Sequence, residues 1–203
     1  MTNYRVAIAA PEQLPQVCAV LAEAMREDPI YDRLMPGTPR DRAVARFAHL
    51  EYLKVRTEGG VGTVDVATDD DGRIIAGALW IPPIPPRMPL IEKLPLVPGF
   101  LRALGARAHS VLGTDRTYLR SHPRAPHWYL SLVGTAAGAR GHGAATALLH
   151  HRLSVIDAGH GAAALEASTR GHVAYYERFG FEELGPLPVV RGSNPVVMWR
   201  AAR

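Results

Sequence analysis

The stretch that decides the fold is residues 127–158, HWYLSLVGTAAGARGHGAATALLHHRLSVIDA. Residues 127–133 predict a strand, because both alternating sets of side chains are mostly apolar, as in a strand buried within a sheet. The last part predicts an amphipathic helix with one apolar face against that sheet. The side chains on this face recur at helical spacing: Ala145, Leu149, Leu153 and Ile156. The sequence therefore predicts a strand, a glycine-rich turn and a helix, in that order.

The turn, residues 138–143, carries the strongest indication of chemistry. Glycines let the backbone adopt positive φ and let a ligand approach closely. The first N–H groups of the following helix have no acceptor within the helix and lie at the positive end of its dipole. With an arginine beside them, they predict an anion site suited to a pyrophosphate. Its predicted residues are Arg140, Gly141, His142, Gly143, Ala144 and Ala145. The alternative is a plain strand-to-helix connection that binds nothing.

Three phosphate-binding spacings compete for this turn. A P-loop needs a lysine and a Ser or Thr after its last glycine, and alanines follow Gly143 here. A dinucleotide fingerprint lacks its third glycine, which is replaced by Thr146, although Glu166 lies near the distance of a ribose-binding acid. The pattern Arg/Gln-x-x-Gly-x-Gly/Ala is met in full by Arg140, Gly143 and Ala145. The segment thereby resembles the site where GNAT N-acetyltransferases bind the pyrophosphate of acetyl-CoA.

The segments that follow extend this resemblance. Residues 162–168, AAALEAS, predict a short parallel strand, and residues 171–184, GHVAYYERFGFEEL, predict a helix that leads into another strand. The helix contains the YExxGF pattern of the family, and the tail predicts a final hairpin with Pro195 at the start of its last strand. Within the family, HWYLSLVG, ALEAS and YYERFGF most resemble the puromycin N-acetyltransferases. The resemblance implies a mixed, mostly antiparallel α/β sheet with a central parallel βαβ unit and flanking helices.

The resemblance also implies roles for particular residues. Glu166 matches the glutamate of LExS, which acts as a base, and Tyr176 matches the general acid that protonates the departing thiolate. Main-chain groups near Val133 and Thr135 would hold pantetheine and polarise the thioester carbonyl. The alternatives are an ordinary strand-end carboxylate in an ion pair for Glu166 and a buried tyrosine with a satisfied hydroxyl for Tyr176.

Two neighbours of these residues are also interpreted. Tyr175 precedes the predicted acid and points elsewhere on the helix, so we expect it to pack in the core. Many members of the family have an asparagine before the tyrosine helix that contacts pantetheine. Here the nearby positions are Thr169, Arg170 and His172, so that contact is in question.

Length and composition are those of one enzyme domain spanning residues 1–203. The formal net charge of +4 is dispersed rather than concentrated in a basic run, which argues against nucleic acid as a partner. We find neither a membrane-spanning run nor a signal peptide, and expect a cytoplasmic protein. The single cysteine, Cys18, is expected to pack in the core, and no histidine spacing predicts a metal site.

The remaining segments predict the frame of the domain. Residues 4–10 predict a first strand, residues 11–27 a first helix and residues 40–59 a second helix. Residues 62–83 predict a hairpin around Asp71-Gly72. Residues 82–126 predict an insertion of short helices, interrupted by Pro95 and Pro98, near the acceptor pocket.

Together these patterns predict an acetyl-CoA-dependent enzyme that acetylates a primary amine of a small molecule, with an antibiotic-like amine among the candidates. The alternative in another class is a protein that binds or senses acyl-CoA without turnover. Acetyl-CoA is the expected co-substrate, no metal is expected, and a homodimer is compatible with the sequence.

Overall fold

The computed structural model describes residues 4–28, 38–39, 41–46, 48–49, 52, 64–83, 94, 97–104, 123–187 and 195–203. Its strands form one seven-stranded sheet in the order β1-β2-β3-β4-β5-β7-β6. The strands are β1 (Arg5–Ile8), β2 (Val64–Thr68), β3 (Ile74–Ile81), β4 (Trp128–Thr135), β5 (Ala163–Ala167), β6 (Glu182–Pro186) and β7 (Val196–Arg200). Every neighbouring pair is antiparallel except β4 and β5, which are parallel. The predicted α/β class and central parallel unit are confirmed.

Among the described residues, four α-helices have both ends defined. They are α1 (Leu14–Ala24), α2 (Val97–Leu104), α3 (Ala144–Ala158) and α4 (Arg170–Glu177). Of the predicted second helix, residues 41–46, 48–49 and 52 are helical, and its other positions lie outside the described residues. Pro98 was expected to interrupt a helix but occupies the first turn of α2, where a missing N–H costs no helical hydrogen bond. Most of the predicted insertion, residues 84–93, 95–96 and 105–122, lies outside the described part of the chain.

The core consists of two clusters, one on each face of the sheet. One cluster contains the buried faces of α3 and α4, and the other contains the stripe of α1. Cys18 is buried within α1, as predicted. In the described ranges, no helix has the length and apolarity that a membrane span requires, and no cluster of three acidic, histidine or cysteine side chains could bind a metal ion.

The buried face of α3 departs from the expected stripe. Its buried residues are Ala144, Leu148, Leu149, Arg152, Leu153 and Ile156, whereas Ala145 is half-buried. Arg152 forms a bidentate pair with the fully buried Asp65 of β2, and its Nε lies 2.8 Å from Asp65 Oδ2. The guanidinium also lies over the ring of Trp128, 5.5 Å from its centroid. This pair joins α3 to β2, and a purely apolar pattern could not reveal it.

Two glycines bring α1 close to the sheet. Gly77 of β3 and Gly134 of β4 are directly paired across the strands. A Cβ at Gly134 would lie 2.5 Å from the Ala24 Cβ, and one at Gly77 would lie 2.8 Å from Val17 Cγ1. Because both distances are far below van der Waals contact, side chains here would push α1 outward. The glycine pair therefore sets the position of the C-terminal end of α1.

This packing gives a stability prediction. Gly134→Ala should lower the free energy of unfolding by about 1–3 kcal/mol, the usual cost of overpacking, because the backbone of α1 must move. The matched control is Gly138→Ala, at which a Cβ meets no atom within 4 Å. Urea unfolding followed by circular dichroism measures both. A Gly134→Ala protein as stable as wild type would show that α1 is not held by this contact.

Candidate active site

The site is built where β4 and β5 separate. The two strands pair only from Trp128 with Ala163 to Leu130 with Leu165. Beyond that point, β4 stays paired with β3 and β5 stays paired with β7. The register between β3 and β4 shifts at the same place, so that Ser131 is an additional residue in β4, a bulge that bends the strand. β4 thus separates from β5, and this separation opens a wedge in the middle of the sheet.

This wedge leads into a cavity of about 790 Å³. Side chains and main chain from α1, β4, the glycine turn, α3, β5 and α4 line it. Residues predicted from the sequence that line it are Val133, Thr135, Arg140, Gly141, Gly143, Ala144, Ala145, Glu166 and Tyr176. A cavity of this size is within the range of small-molecule sites.

The glycine turn forms part of the cavity wall. A short 3-10 turn, Ala137–Ala139, leads to Gly141 with φ 78° and to Gly143 with φ 92°, directly before α3. The N–H of Ala147 is bonded to the Gly143 carbonyl at 2.9 Å, which begins the helical ladder. The N–H groups of the helix's first turn precede that ladder, so they are available to an external acceptor at the positive end of α3. A Cβ at Gly143 would enter open space, which is the space that a ligand can use.

Arg140 and His142 have roles that the sequence pattern did not suggest. Arg140 Nη2 donates to the Ala24 carbonyl at 3.1 Å, and Nε donates to the Thr135 carbonyl at 3.4 Å. The guanidinium therefore links the glycine turn to the ends of α1 and β4 while it lines the cavity. His142 does not line the cavity. Its carbonyl accepts a hydrogen bond of 2.9 Å from the Tyr4 hydroxyl, which attaches the turn to the first strand.

Glu166 lies on β5, beyond the last residue paired with β4. Its main chain faces Val197 of β7, and its half-buried side chain reaches the cavity. Glu166 Oε2 accepts a hydrogen bond of 2.5 Å from the hydroxyl of Tyr129. A carboxylate at the carboxyl end of a strand, beside an open crevice, has the position that open α/β sheets give to ligand-binding residues.

Tyr176 is buried on α4 and faces the same cavity. Burial raises the pKa of its hydroxyl above the usual value, so the phenol stays protonated at neutral pH. Hydrogen bonds from Gly180 N to the Glu177 carbonyl at 2.9 Å and from Phe181 N to the Tyr176 carbonyl at 3.4 Å close the helix. This pattern needs the positive φ of Gly180, 85°, and it brings the Phe181 ring against Tyr176. The YExxGF pattern therefore positions the tyrosine.

Tyr175 was expected only to pack, and it also lines the cavity. Its hydroxyl lies 3.2 Å from Thr146 Oγ1, at the first turn of α3. The guanidinium of Arg178 lies 4.9 Å from the centre of its ring. Burial raises the pKa of the Tyr175 hydroxyl, against a smaller opposite effect of the Thr146 hydrogen bond. The pair of tyrosines thus forms one wall of the site.

Thr169, Arg170 and His172, the positions near which many family members have a pantetheine-contacting asparagine, make different contacts. Thr169 caps α4, because its Oγ1 accepts a hydrogen bond of 3.2 Å from the His172 amide. Arg170 points to Glu183, with 2.5 Å between Nη1 and Oε2. His172 alone of the three lines the cavity. Sequence reasoning also missed Met25 and Asp28, which line the cavity from the end of α1, because only the packed fold brings that end beside β4.

A partly buried ion pair lies next to the turn that ends the tyrosine helix. Arg200 of β7 donates to both oxygens of Asp157, at 2.6 and 2.8 Å, and its Nε donates to the Phe179 carbonyl at 2.8 Å. The pair connects the last strand, the end of α3 and the turn after α4. Arg200 lowers the pKa of the Asp157 carboxyl below its usual range, chiefly through the hydrogen bond between them.

Comparison with solved structures finds acetyltransferases with the same fold. No known family model matches the sequence. A solved structure from Corynebacterium glutamicum, described as histone acetyltransferase HPA2 and related acetyltransferase, is 30% identical with a TM-score of 0.78, over 100% of this chain and 98% of that chain. The Drosophila melanogaster polyamine N-acetyltransferase, an enzyme that forms N-acetylagmatine, is 16% identical with a TM-score of 0.57, over 97% and 98% of the two chains. Arylalkylamine N-acetyltransferase 2 from Aedes aegypti is 12% identical with a TM-score of 0.63, over 99% and 100%. The last two show likeness of fold alone.

The Asp157–Arg200 pair gives a prediction about acid stability. Because the folded-state pKa of Asp157 is depressed, its contribution is present above the unfolded value, near 3.8, and is lost as pH falls through the folded value. Asp157→Asn should lower Tm at pH 7, and its difference from wild type should shrink as pH falls below 3.8 and through the lowered folded-state pKa. The control is Asp71→Asn, whose exposed partner Arg73 lies 2.9 Å away and should contribute little. Melting curves from pH 2 to 8 measure this, and a constant difference would contradict it.

Proposed function

This chain belongs to the GNAT-type acetyltransferases, and from that premise we propose that it is an N-acetyltransferase, which transfers the acetyl group of acetyl-CoA to a primary amine of a small molecule. The observation that carries the proposal is the wedge between β4 and β5. It joins the amides of the glycine turn, at one end of the cavity, to Glu166 and Tyr176. In this proposal, residues 1–203 act as a single domain.

The residues present fit the pyrophosphate of CoA. The turn offers main-chain donors at the positive end of α3, a glycine at the helix start with open space in front of it, and Arg140 on the cavity wall. We assign cofactor binding to Arg140, Gly141, Gly143, Ala144 and Ala145, with Val133 and Thr135 along the pantetheine. His142 takes part only through its main chain, because its carbonyl is held by Tyr4.

Two groups of this chain handle the protons of the reaction. Acetyl-CoA supplies a thioester, whose carbonyl carbon forms a C–N bond to the amine while its C–S bond breaks. Glu166 accepts the proton that the amine nitrogen loses, directly or through water. Tyr176 donates a hydrogen bond, and then its proton, to the departing sulfur, and solvent returns that proton. The usual pKa of a thiol, about 8.5, is below that of a phenol, so complete transfer of the Tyr176 proton to the thiolate is unfavourable. The hydrogen bond from Tyr176 therefore lowers the barrier mainly by stabilising the negative charge that develops on the sulfur in the transition state.

The acceptor is proposed at the level of chemical class. HWYLSLVG, ALEAS and YYERFGF resemble segments of puromycin N-acetyltransferase, which favours an antibiotic-like amine. Two carboxylates, Asp28 and Glu166, and the apolar Met25 and Leu187 line the cavity, a combination suited to an amine on an apolar frame. The alternative, a protein that binds acyl-CoA without turnover, is disfavoured because both proposed proton-transfer residues, Glu166 and Tyr176, line the cavity.

A screen for thiol release tests the proposal. Wild-type protein with acetyl-CoA is assayed against puromycin, kanamycin, agmatine, tyramine and a peptide with a free N-terminus. We expect at least one small amine to release CoA thiol stoichiometrically with acetylated product. With that amine, Tyr176→Phe should lower kcat by about 10²-fold while acetyl-CoA affinity holds, because only the proton donor is removed. Turnover of the peptide alone would overturn the small-molecule class, and tight acetyl-CoA binding with no acceptor would favour the non-catalytic alternative.

The cofactor assignment predicts the effect of two substitutions on binding. Gly143→Val should weaken acetyl-CoA binding severely, because the side chain enters the ligand's space and disfavours φ 92°. Arg140→Ala should weaken the binding free energy of acetyl-CoA by at most a few kcal/mol, which is the usual effect of losing one charge-assisted contact. Gly72→Val is the matched control, because Gly72 also has a positive φ, 76°, and a Cβ there would meet no atom within 4 Å. It reports the effect of backbone strain at a position outside the proposed ligand site. Calorimetry that gives wild-type affinity for both Gly143→Val and Arg140→Ala would remove the assignment.

The base assignment predicts a pH signature. Glu166→Gln keeps the shape of the side chain but cannot accept the proton, so kcat at neutral pH should fall. Part of the rate should return as pH rises, because the amine then deprotonates without help. A carboxylate with only a structural role would give a lower Tm and no recovery at high pH. The pH–rate profiles and melting curves of both proteins distinguish these outcomes, and a wild-type profile for Glu166→Gln would exclude it as the base.

A further inference from the structure

A second tyrosine acts on the proposed base from outside the cavity. The Tyr129 hydroxyl donates to Glu166 Oε2 at 2.5 Å. This is the short distance typical of a hydroxyl bonded to an ionised carboxylate, which is stronger than a bond between neutral groups. The GNAT resemblance gave Tyr129 no role. It does not line the cavity that Glu166 reaches, so it contacts the base rather than the reactants.

The position of the Tyr129–Glu166 hydrogen bond in the sheet suits it to restrict the Glu166 side chain. Tyr129 is paired with Ala164, one position before β4 and β5 separate. Glu166 is two residues beyond Ala164, so its side chain lies on the same face of β5 as that of Ala164. Tyr129 lies in the part of β4 that is paired with β5, and its side chain reaches Glu166, which lies beyond the last paired residue of β5. A glutamate on a separating strand has three side-chain torsions to restrict, and a bond from the paired region restricts them.

We propose that Tyr129 is a positioning residue that holds the Glu166 carboxylate by Oε2, so that Oε1 faces the attacking amine. This inference rests on the proposed role of Glu166 as base. The amine proton goes to Oε1, and the Tyr129 proton stays on its own oxygen throughout. Holding a catalytic group in its productive geometry is a major source of rate, because a displacement of 1 Å can cost about 10²-fold.

A double-mutant cycle tests the proposal, with the fastest amine of the puromycin, kanamycin, agmatine and tyramine panel as acceptor. Tyr129→Phe should lower kcat about 10-fold and leave the KM for acetyl-CoA unchanged. In the Glu166→Gln protein, the same Tyr129→Phe change should alter kcat less than about twofold, because the carboxylate that Tyr129 positions is absent. Equal effects in both backgrounds would overturn the proposal. Tyr4→Phe, which removes the bond to the His142 carbonyl, is the control and should have the same effect in both backgrounds.

A second measurement does not depend on turnover. Carbon-13 relaxation of the Glu166 carboxyl, assigned by the loss of its signal in Glu166→Gln, reports how firmly the group is held. Its order parameter should fall in Tyr129→Phe and stay unchanged in Tyr4→Phe. An unchanged order parameter in Tyr129→Phe overturns the positioning role whether or not an acceptor is found. Absence of thiol release with a normal fall in the order parameter would instead overturn the proposed function.

Discussion

The rest of the site depends on the short parallel contact between β4 and β5. A parallel pair is normally continued along both strands, but here it ends at Leu130 and Leu165, and the bulge at Ser131 bends β4 away. The sheet remains whole on both sides, because β3 and β7 each keep their pairing. The gap is therefore held open by hydrogen-bonded strands on both of its sides. Packing on both faces of the sheet maintains the gap. On one face, the paired glycines let α1 pack closely against the sheet, and on the other face the Asp65–Arg152 pair holds α3.

The two proposed proton-transfer groups have opposite environments, and each suits its role. Tyr176 is buried, and its raised pKa keeps the phenol protonated, so that it can donate a hydrogen bond to the departing sulfur. Glu166 is half-buried at the mouth of the gap, where its carboxylate receives a hydrogen bond from a neighbouring strand. The supports of the two groups also differ. A helix-ending glycine turn and the Arg200–Asp157 pair hold the tyrosine, whereas sheet geometry holds the glutamate.

Local patterns in the sequence predicted much of this arrangement. The strand, glycine turn and helix of residues 127–158, the hairpin at Asp71-Gly72 and the closing hairpin are encoded by periodicity and turn residues close together in the chain. The contacts that were missed join residues far apart. Arg152 was hidden because an arginine on an apolar face pairs with an aspartate 87 positions away, and the Tyr129–Glu166 bond depends on register across strands. Arg140 was predicted as an anion ligand from its spacing, but its bonds to the ends of α1 and β4 depend on packing.

The most direct test of the account is a crystal structure of this protein with CoA bound. The account predicts the pyrophosphate within hydrogen-bond distance of the main-chain amides of Gly141, Gly143 and Ala144. It places the pantetheine between β4 and β5, with the sulfur beside the Tyr176 hydroxyl and on the Glu166 side of the cavity. CoA bound elsewhere on the chain, or bound here with its sulfur directed away from both side chains, would contradict the assignment of the wedge as the catalytic centre.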